Sequence, residues 1–458
     1  MSILSAPGHP ASARPRFDVH SAAAQTILGE LMMLTVYENR IPRGPPDAFD
    51  TKMDLRMWIE NNFRLYGDIF SAIILGTNVY VVSSPDYAQH VLRRNWTNYR
   101  KGLAVKRIAM LLGNGLMVSE GEFWVSQRRM IQPAFHRNVI ASLYDVMKSA
   151  NSKLLEKWEK AAQQKETINV TSDVSLTVLE ITLRSLFGSD YSLAAPYFNI
   201  LHDNPARDLG FAQTFADLRQ FLAGLIERRR RNTRGGADIL GMLMEARDQR
   251  GRQMPDGQLV NEITTIIVAG HETTASTLNL LWYLVSQNPE VERLLTAEIE
   301  SLISESFPEM ENLTKYEYTR LVIDETLRLY PPGWLLTRKA KKDDRLGEYF
   351  VPAGTEIYIS PYIIQRHPEL WTEPNSFKPD RFYTTDAREK RSAALLPFSI
   401  GPRNCIGELF ARTEMQVHLI MVANRVRLRW LNQELPEFEA GVNLRAKHDF
   451  VMLPELKA

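Results

Sequence analysis

One stretch of the sequence reads Phe398-Ser399-Ile400-Gly401-Pro402-Arg403-Asn404-Cys405-Ile406-Gly407 and contains the only cysteine among 458 residues. A Gly-Pro pair bends the backbone ahead of Cys405, and Gly407 has no side chain that would keep a flat ligand from the sulfur. Residues 408–425 are predicted to form a helix. Cys405 therefore precedes a helix N-terminus, where free backbone N–H groups and the helix dipole stabilise a thiolate.

A single thiolate restricts the kind of site that the stretch can build. Tetrahedral zinc sites and iron–sulfur clusters need several protein ligands, whereas a haem needs one axial ligand. The stretch resembles the haem-binding loop of the cytochrome P450 family, with the pattern Phe-x-x-Gly-x-Arg-x-Cys-x-Gly. Its fixed positions are occupied by Phe398, Gly401, Arg403, Cys405 and Gly407. The resemblance implies haem b with Cys405 as the metal ligand, and the alternative is a free cysteine that acts as a small buried hydrophobe.

The composition limits the class of protein. Hydrophobic residues at 44% and charged residues at 24% are typical of a globular protein with a large core. A net charge of +1 argues against a nucleic-acid partner. One cysteine excludes an internal disulfide, so we expect a reducing compartment, the cytoplasm.

The sequence shows no linker or repeat that would divide a long chain. We expect an N-terminal extension over residues 1–49, partly disordered, and one catalytic domain over residues 50–458. The apolar run at residues 22–37 contains Gln25 and Glu30 and is shorter than the roughly 20 residues that span a bilayer. We therefore expect a soluble monomer without a membrane span, with an organelle transit peptide as the alternative for the N-terminus.

A long, mostly apolar helix is predicted from Asp256 to Leu284 and should be buried. In its middle, Ala269-Gly270-His271-Glu272-Thr273-Thr274 is similar to the oxygen-activation motif of the same family. The resemblance implies that Ala269 and Gly270 leave room for dioxygen.

The same motif implies that Glu272 and Thr273 relay protons during the reaction. The alternatives are simple exposure for Glu272 and a hydrogen bond to its own helix for Thr273. His271 is interpreted as a structural or pocket residue, because the motif does not fix it.

Further basic and aromatic residues are expected around the cofactor. Trp124 and Arg128 are four residues apart and share a helix face, where an indole N–H and a guanidinium suit a carboxylate. In the family this pair binds a haem propionate, and the resemblance gives the same role to Arg338 and Arg403. The alternative is a core tryptophan beside a surface arginine.

A buried charge network is the expected scaffold of the site. Glu325 and Arg328 are three residues apart on a helix that Pro331 and Pro332 end. The resemblance adds Arg381 as the third member of the network, with a structural role and no part in the chemistry.

The substrate pocket is the least defined part of the sequence. We expect Ile266, Trp334, Leu335 and Leu336 to line a mainly apolar cavity, under a lid near residues 188–225 that looks shorter than is usual in the family. Four arginines at residues 228–231 are interpreted as a solvated helix end, with a docking patch for an acidic partner as the alternative.

The resemblance implies a mainly α fold, a triangular helical domain with a small β-rich region. It also implies a monooxygenase that inserts one atom of dioxygen into a hydrophobic substrate such as a lipid or terpenoid. Because no flavin or iron–sulfur motif is present, we expect electrons from a ferredoxin or flavodoxin with an NAD(P)H reductase. The alternatives are a peroxide-driven or rearranging haem-thiolate enzyme and a non-catalytic haem-based sensor.

Overall fold

The computed structural model describes residues 40–198, 209–232, 236–303, 307–383, 393–432, 434 and 436–457. Residues 1–39 of the expected N-terminal extension lie outside the described residues, as does part of the lid near residues 188–225. In the described ranges, no helix is both long and apolar enough to cross a bilayer.

α-Helices form most of the described structure. In chain order they are α1 Leu55–Tyr66, α2 Pro85–Gln89, α3 Leu103–Leu112, α4 Gly121–Ile131, α5 Arg137–Ser142, α6 Tyr144–Gln164, α7 Val170–Phe187, α8 Tyr191–Phe198, α9 Leu209–Arg231, α10 Ile239–Glu245, α11 Asp256–Gln287, α12 Pro289–Leu302, α13 Glu317–Leu329, α14 Pro361–Ile364 and α15 Glu408–Arg425. Short 3₁₀ or π turns occupy Trp96–Asn98, Gln132–Phe135, Gly188–Asp190, Met310–Lys315, Pro379–Tyr383 and His90–Arg94.

The strands are short and lie in small sheets. They are β1 Ile69–Ile74, β2 Thr77–Val82, β3 Tyr99–Lys101, β4 Ile168–Asn169, β5 Leu336–Ala340, β6 Asp344–Leu346, β7 Tyr349–Val351, β8 Glu356–Ile359, β9 Val426–Trp430, β10 Phe438–Ala440, β11 Leu444–Ala446 and β12 Val451–Leu456. One sheet has the order β1-β2-β8-β5-β3, and only β2 and β8 are parallel in it. A second sheet has the order β4-β12-β9, and β6–β7 and β10–β11 are separate hairpins. Helices with small sheets confirm the expected mainly α class.

The central helix α11 is the longest described helix and organises the core. It begins after Pro255 and ends where Asn288 and Pro289 interrupt the helical backbone. Its second half is buried in a large cluster with α6, α7, α13 and α15, and its first half packs in another with α7, α9 and α10. The central helix, which carries apolar residues on most of its faces, is therefore enclosed by other helices, as predicted.

The basic run at the end of α9 differs from the prediction of a solvated helix end. Arg229 is buried, and its guanidinium donates to both carboxylate oxygens of Asp238 at 2.7 and 2.9 Å and to Asp190 at 2.8 Å. The prediction was wrong for this arginine because two carboxylates from neighbouring loops compensate its charge. Arg228 and Arg231 remain substantially exposed.

Candidate functional site

The cysteine loop is closed by its own backbone. The Cys405 N–H donates to the Phe398 carbonyl oxygen at 2.9 Å. Ser399 and Gly401 have positive φ angles of 58° and 76°. A Cβ on Gly401 would lie 2.1 Å from the Leu92 carbonyl oxygen, so glycine is required there by both the conformation and the space.

Cys405 is a free cysteine whose side chain is accessible at the surface of its loop, although many protein atoms lie around the thiol. Burial raises the pKa of its thiol, while the Gly407 N–H and the Arg128 charge oppose that rise. The expected backbone donor is therefore present, but it does not by itself outweigh burial. A Cβ on Gly407 would stand 3.9 Å from the sulfur, within ordinary contact, so glycine leaves this side of the sulfur open.

Arg128 and Trp124 lie on α4 beside the loop. The Arg128 guanidinium donates to the Asn404 carbonyl oxygen at 2.8 Å and to its side-chain oxygen at 3.1 Å. Trp124 is buried and packs edge-on against Trp96. Arg128 thus holds the residue next to Cys405, and its contact with a propionate stays a prediction.

Arg403 reaches across the loop to the same aromatic pair. Its guanidinium lies 5.4 Å from the Trp96 ring centroid and 5.5 Å from that of Trp124. It donates to Glu120 at 2.5 Å and to the Tyr99 carbonyl oxygen at 2.9 Å, while its Nε is buried without a partner. The structure therefore brings Trp124 and Arg403 together and leaves one donor available.

Two more cations face each other in the five-stranded sheet. The register of β3 and β5 places Lys101 directly opposite Arg338, and both are buried. Like charges at opposite positions repel. Burial and then Arg403 lower the pKa of Arg338 to about 10. Burial also lowers the pKa of Lys101, to about 7, although the Glu120 carboxylate opposes this.

We call Lys101, Arg338 and Arg403, with Glu120, the basic cluster. Among the described residues, no carboxylate forms an ion pair with Arg338. Two buried cations and the partly buried Arg403 outnumber Glu120, the carboxylate that pairs within this cluster, which favours a ligand with further carboxylates, as the two propionates of haem provide. The part of the chain that the structure describes holds no group of three His, Cys, Asp or Glu residues that could bind a metal. A single Cys405 ligand and the basic cluster therefore fit a haem.

One face of the central helix carries the oxygen-activation motif. Ile266, Ala269, Gly270 and Thr273, spaced by three and four residues, are partly accessible, while most of their neighbours are buried. A Cβ on Gly270 would meet only Thr182, at 3.8 Å or more. Small residues on this face leave space next to the helix.

The two proton-relay candidates have different surroundings. The Thr273 hydroxyl donates to the Ala269 carbonyl oxygen at 2.8 Å, which is the helix bond considered as its alternative. The Glu272 side chain is 42% exposed and accepts from Asn443 at 2.9 Å. His271 is buried beside Ser175 of α7 and has a structural contact there. Simple exposure therefore does not describe Glu272.

The structure brings the three members of the buried charge network together. Arg328 donates to both Glu325 oxygens at 2.7 and 2.8 Å, and Arg381 donates to Glu325 at 2.9 Å. Arg328 also donates to the carbonyl oxygens of Gln365 and Pro374. Both charges of the Glu325–Arg328 pair are fully buried and fully hydrogen-bonded, which suits a scaffold.

The expected pocket residues belong to three different hydrophobic clusters, and their lining of one shared cavity stays a prediction. Ile266 packs against the cluster that joins α7, α9, α10 and the first half of α11. Leu336 packs against a cluster of the five-stranded sheet, and Leu335 packs in the cluster that contains Trp334. Trp334 is buried, and its indole N–H donates to the Gly441 carbonyl oxygen at 3.0 Å. Trp334 therefore holds the β10–β11 hairpin, and its contact with a substrate stays a prediction.

Sequence reasoning missed four residues of the site: Lys101, Glu120, Asn443 and Arg445. Lys101 could have been found only from the β3–β5 register. Glu120 immediately precedes α4, where an acidic residue is typical of a helix start and has no evident link to the cysteine loop. Asn443 and Arg445 lie about 170 residues from Glu272, on a hairpin without a recognisable motif.

Comparison with known proteins identifies the family to which this chain belongs. A family model described as Cytochrome P450 matches residues 48–204 and 196–451. Cyclooctat-9-en-7-ol 5-monooxygenase of Streptomyces melanosporofaciens is 33% identical over 386 residues, covering 80% of this chain and 83% of the relative. The chloroplastic Protein LUTEIN DEFICIENT 5 of Arabidopsis thaliana is 29% identical over 406 residues, covering 79% and 67%.

Solved structures show the same fold. A cyanobacterial cytochrome P450 with bound retinoic acid superposes with a TM-score of 0.82 at 23% identity, over 92% of this chain and 100% of the other. The haem domain of cytochrome P450DA gives a TM-score of 0.79 at 22% identity, over 91% and 97%.

Proposed function

We propose that this protein hydroxylates a terpenoid or a similarly apolar natural product. The premise is that the chain belongs to the cytochrome P450 family and is a haem-thiolate monooxygenase. The observation that carries the substrate class is the central-helix face, where Ile266, Ala269 and Gly270 present only apolar surface next to Thr273. A relative named for the 5-monooxygenation of cyclooctat-9-en-7-ol, and another named for lutein deficiency, support an apolar substrate.

The cofactor in this proposal is haem b, held by Cys405 and by the basic cluster. When bound, it supplies the activation of dioxygen, and a thiolate ligand donates electron density that favours O–O cleavage. The closed loop fixes the sulfur, because the Phe398 carbonyl oxygen accepts the Cys405 N–H. Arg338 and Arg403 orient the carboxylates of the cofactor and neutralise their charge.

The protons for the reaction enter through the central helix. Glu272 is half exposed and can exchange protons with solvent, while the Thr273 hydroxyl faces the apolar side of the same helix. Thr273 can turn its proton from the Ala269 carbonyl oxygen toward the oxygen that is being reduced. Apolar neighbours such as Ile266 exclude bulk water from that side.

Electrons come from a separate partner, which we propose to be a ferredoxin or flavodoxin with an NAD(P)H reductase. A surface pocket of about 320 Å³ lies beside the cysteine loop and is lined in part by Arg128, Arg129 and Asn404. Its cationic side chains suit an acidic carrier close to Cys405. We further propose a soluble, cytoplasmic monomer with one catalytic domain from residue 50 onward.

The substrate class is tested by titrating the haem-loaded protein with a panel of terpenoids, fatty acids and hydrophilic controls. We expect a haem spin-state change with terpenoids that saturates at micromolar concentration. Saturation only with fatty acids or only with the hydrophilic compounds would contradict the proposed class.

A further inference from the structure

The β10–β11 hairpin meets the central helix at the acidic residue of the motif. The Asn443 side-chain amide donates to Oε2 of Glu272 at 2.9 Å. Arg445 Nη1 lies 3.5 Å from Oε1 of the same carboxylate. Each carboxylate oxygen of Glu272 thus has a partner on strand β11 or in the turn before it.

The hairpin itself is fixed against the protein by other bonds. Ser276, one turn after Glu272, donates its hydroxyl to the Leu444 carbonyl oxygen at 2.9 Å. The Leu444 N–H donates to the Pro332 carbonyl oxygen at 3.0 Å, and Leu444 is buried. With the Trp334 bond to Gly441, these contacts hold the hairpin tip in place on both sides. Asn443 and Arg445 therefore project from a rigid support.

We propose that Asn443 and Arg445 are positioning residues that hold the Glu272 carboxylate at the solvent edge of the central helix, ready to take up protons. The inference rests on the relay role of Glu272 in the proposed function. The carboxylate gains a proton from solvent, releases it toward the Thr273 side and returns to its ionised form beside the hairpin. Neither positioning residue contacts the reacting atoms.

The second partner of Arg445 explains how Glu272 can leave. Arg445 also donates to Glu439 at 3.1 Å, closer than its 3.5 Å separation from Glu272. When the Glu272 side chain turns away, the guanidinium keeps one carboxylate and is not left unpaired, which lowers the free-energy cost of the motion. The ion pair between Arg445 and Glu272 can therefore position the carboxylate and still break when Glu272 turns away.

The positioning role is tested by the share of electrons that end as peroxide, measured with a surrogate ferredoxin, its NADPH reductase and the tightest-binding compound of the apolar panel. We expect Asn443→Ala and Arg445→Gln each to raise peroxide per NADPH at least threefold and to alter its pH profile, and Arg445→Lys to restore part of the loss. Lys447→Gln removes an exposed pair with Glu437 beside the same hairpin and no contact of Glu272, so it is the matched control and should leave the share unchanged.

A double-mutant cycle separates this inference from the relay role. In a Glu272→Ala background, Asn443→Ala and Arg445→Gln should add no further peroxide. If Glu272→Ala alone leaves the peroxide share unchanged, the relay role fails. If Glu272→Ala raises it but the two hairpin variants do not, the relay stands and the positioning role is overturned.

Discussion

The charge network around Glu325 and the basic cluster differ in how far their charges are compensated. Around Glu325, Arg328 and Arg381 share one carboxylate and donate to several backbone carbonyl oxygens. In the basic cluster, Lys101 and Arg338 face each other, and Glu120 pairs with Arg403. We expect the network that is complete within the protein to act as scaffold, and the cluster with excess positive charge to bind an anionic ligand.

The compensated network gives the largest expected effect. Arg328→Met leaves Glu325 fully buried with Arg381 as its remaining charged partner. Loss of one member of a buried pair costs about 3 to 5 kcal/mol, so we expect that decrease in the free energy of unfolding, measured by urea denaturation. A decrease below about 1 kcal/mol would contradict the scaffold role.

Arg338→Met should weaken haem retention without lowering the stability of the haem-free protein. Replacing a buried, uncompensated cation by an apolar side chain leaves the haem-free protein equally or more stable. A charge-assisted hydrogen bond contributes about 1.5 to 3 kcal/mol, so haem transfer to a scavenger protein should become roughly ten- to hundredfold faster. Lys339→Met, next along β5 and paired with Glu356, is the matched control for haem loss. Destabilised haem-free protein with normal haem retention would place Arg338 in the scaffold.

The dependence of the unfolding free energy on pH tests the charge of Lys101 in the basic cluster. Its pKa in the folded protein is about 7, below its ordinary 10.5. Its contribution to stability is therefore full above pH 10.5 and is lost as the pH falls from there through 7, by at most about 1.4 kcal/mol per pH unit. We expect haem-free Lys101→Met to show a flatter dependence of unfolding free energy between pH 9 and 7. Parallel curves for the two proteins would refute this pKa.

A solvent-exposed ion pair should give the smallest change in the unfolding free energy. Arg293 and Glu290 pair at 2.7 Å with both side chains more than 60% exposed. Surface pairs of this kind contribute little to stability, because water screens both charges. Arg293→Ala should therefore leave the unfolding free energy, measured in urea, almost unchanged. A change as large as that of Arg328→Met would show that burial does not decide the outcome.

Local sequence signals predicted the parts of the protein that depend on neighbouring residues. The helix at residues 408–425 and the long central helix follow from the periodicity of their apolar residues. The Glu325–Arg328 contact follows from helical spacing. Such features need no knowledge of how distant segments pair.

Features that depend on distant pairing could not be predicted. The opposition of Lys101 and Arg338 depends on a strand register between segments more than 230 residues apart. Glu272 was expected to be a relay from its motif, but its bond to Asn443 depends on where a hairpin packs. Arg229 was expected to be exposed. Its burial depends on pairing with Asp190 and Asp238, which lie in separate loops.

The central claim is that Cys405 and the basic cluster hold a haem through a thiolate. The absorption spectrum of the purified, reduced protein with carbon monoxide tests it most directly. We predict a strongly red-shifted Soret band that Cys405→Ser abolishes. A band at the position of histidine-ligated haem, or a red-shifted band that survives in Cys405→Ser, would contradict the assignment.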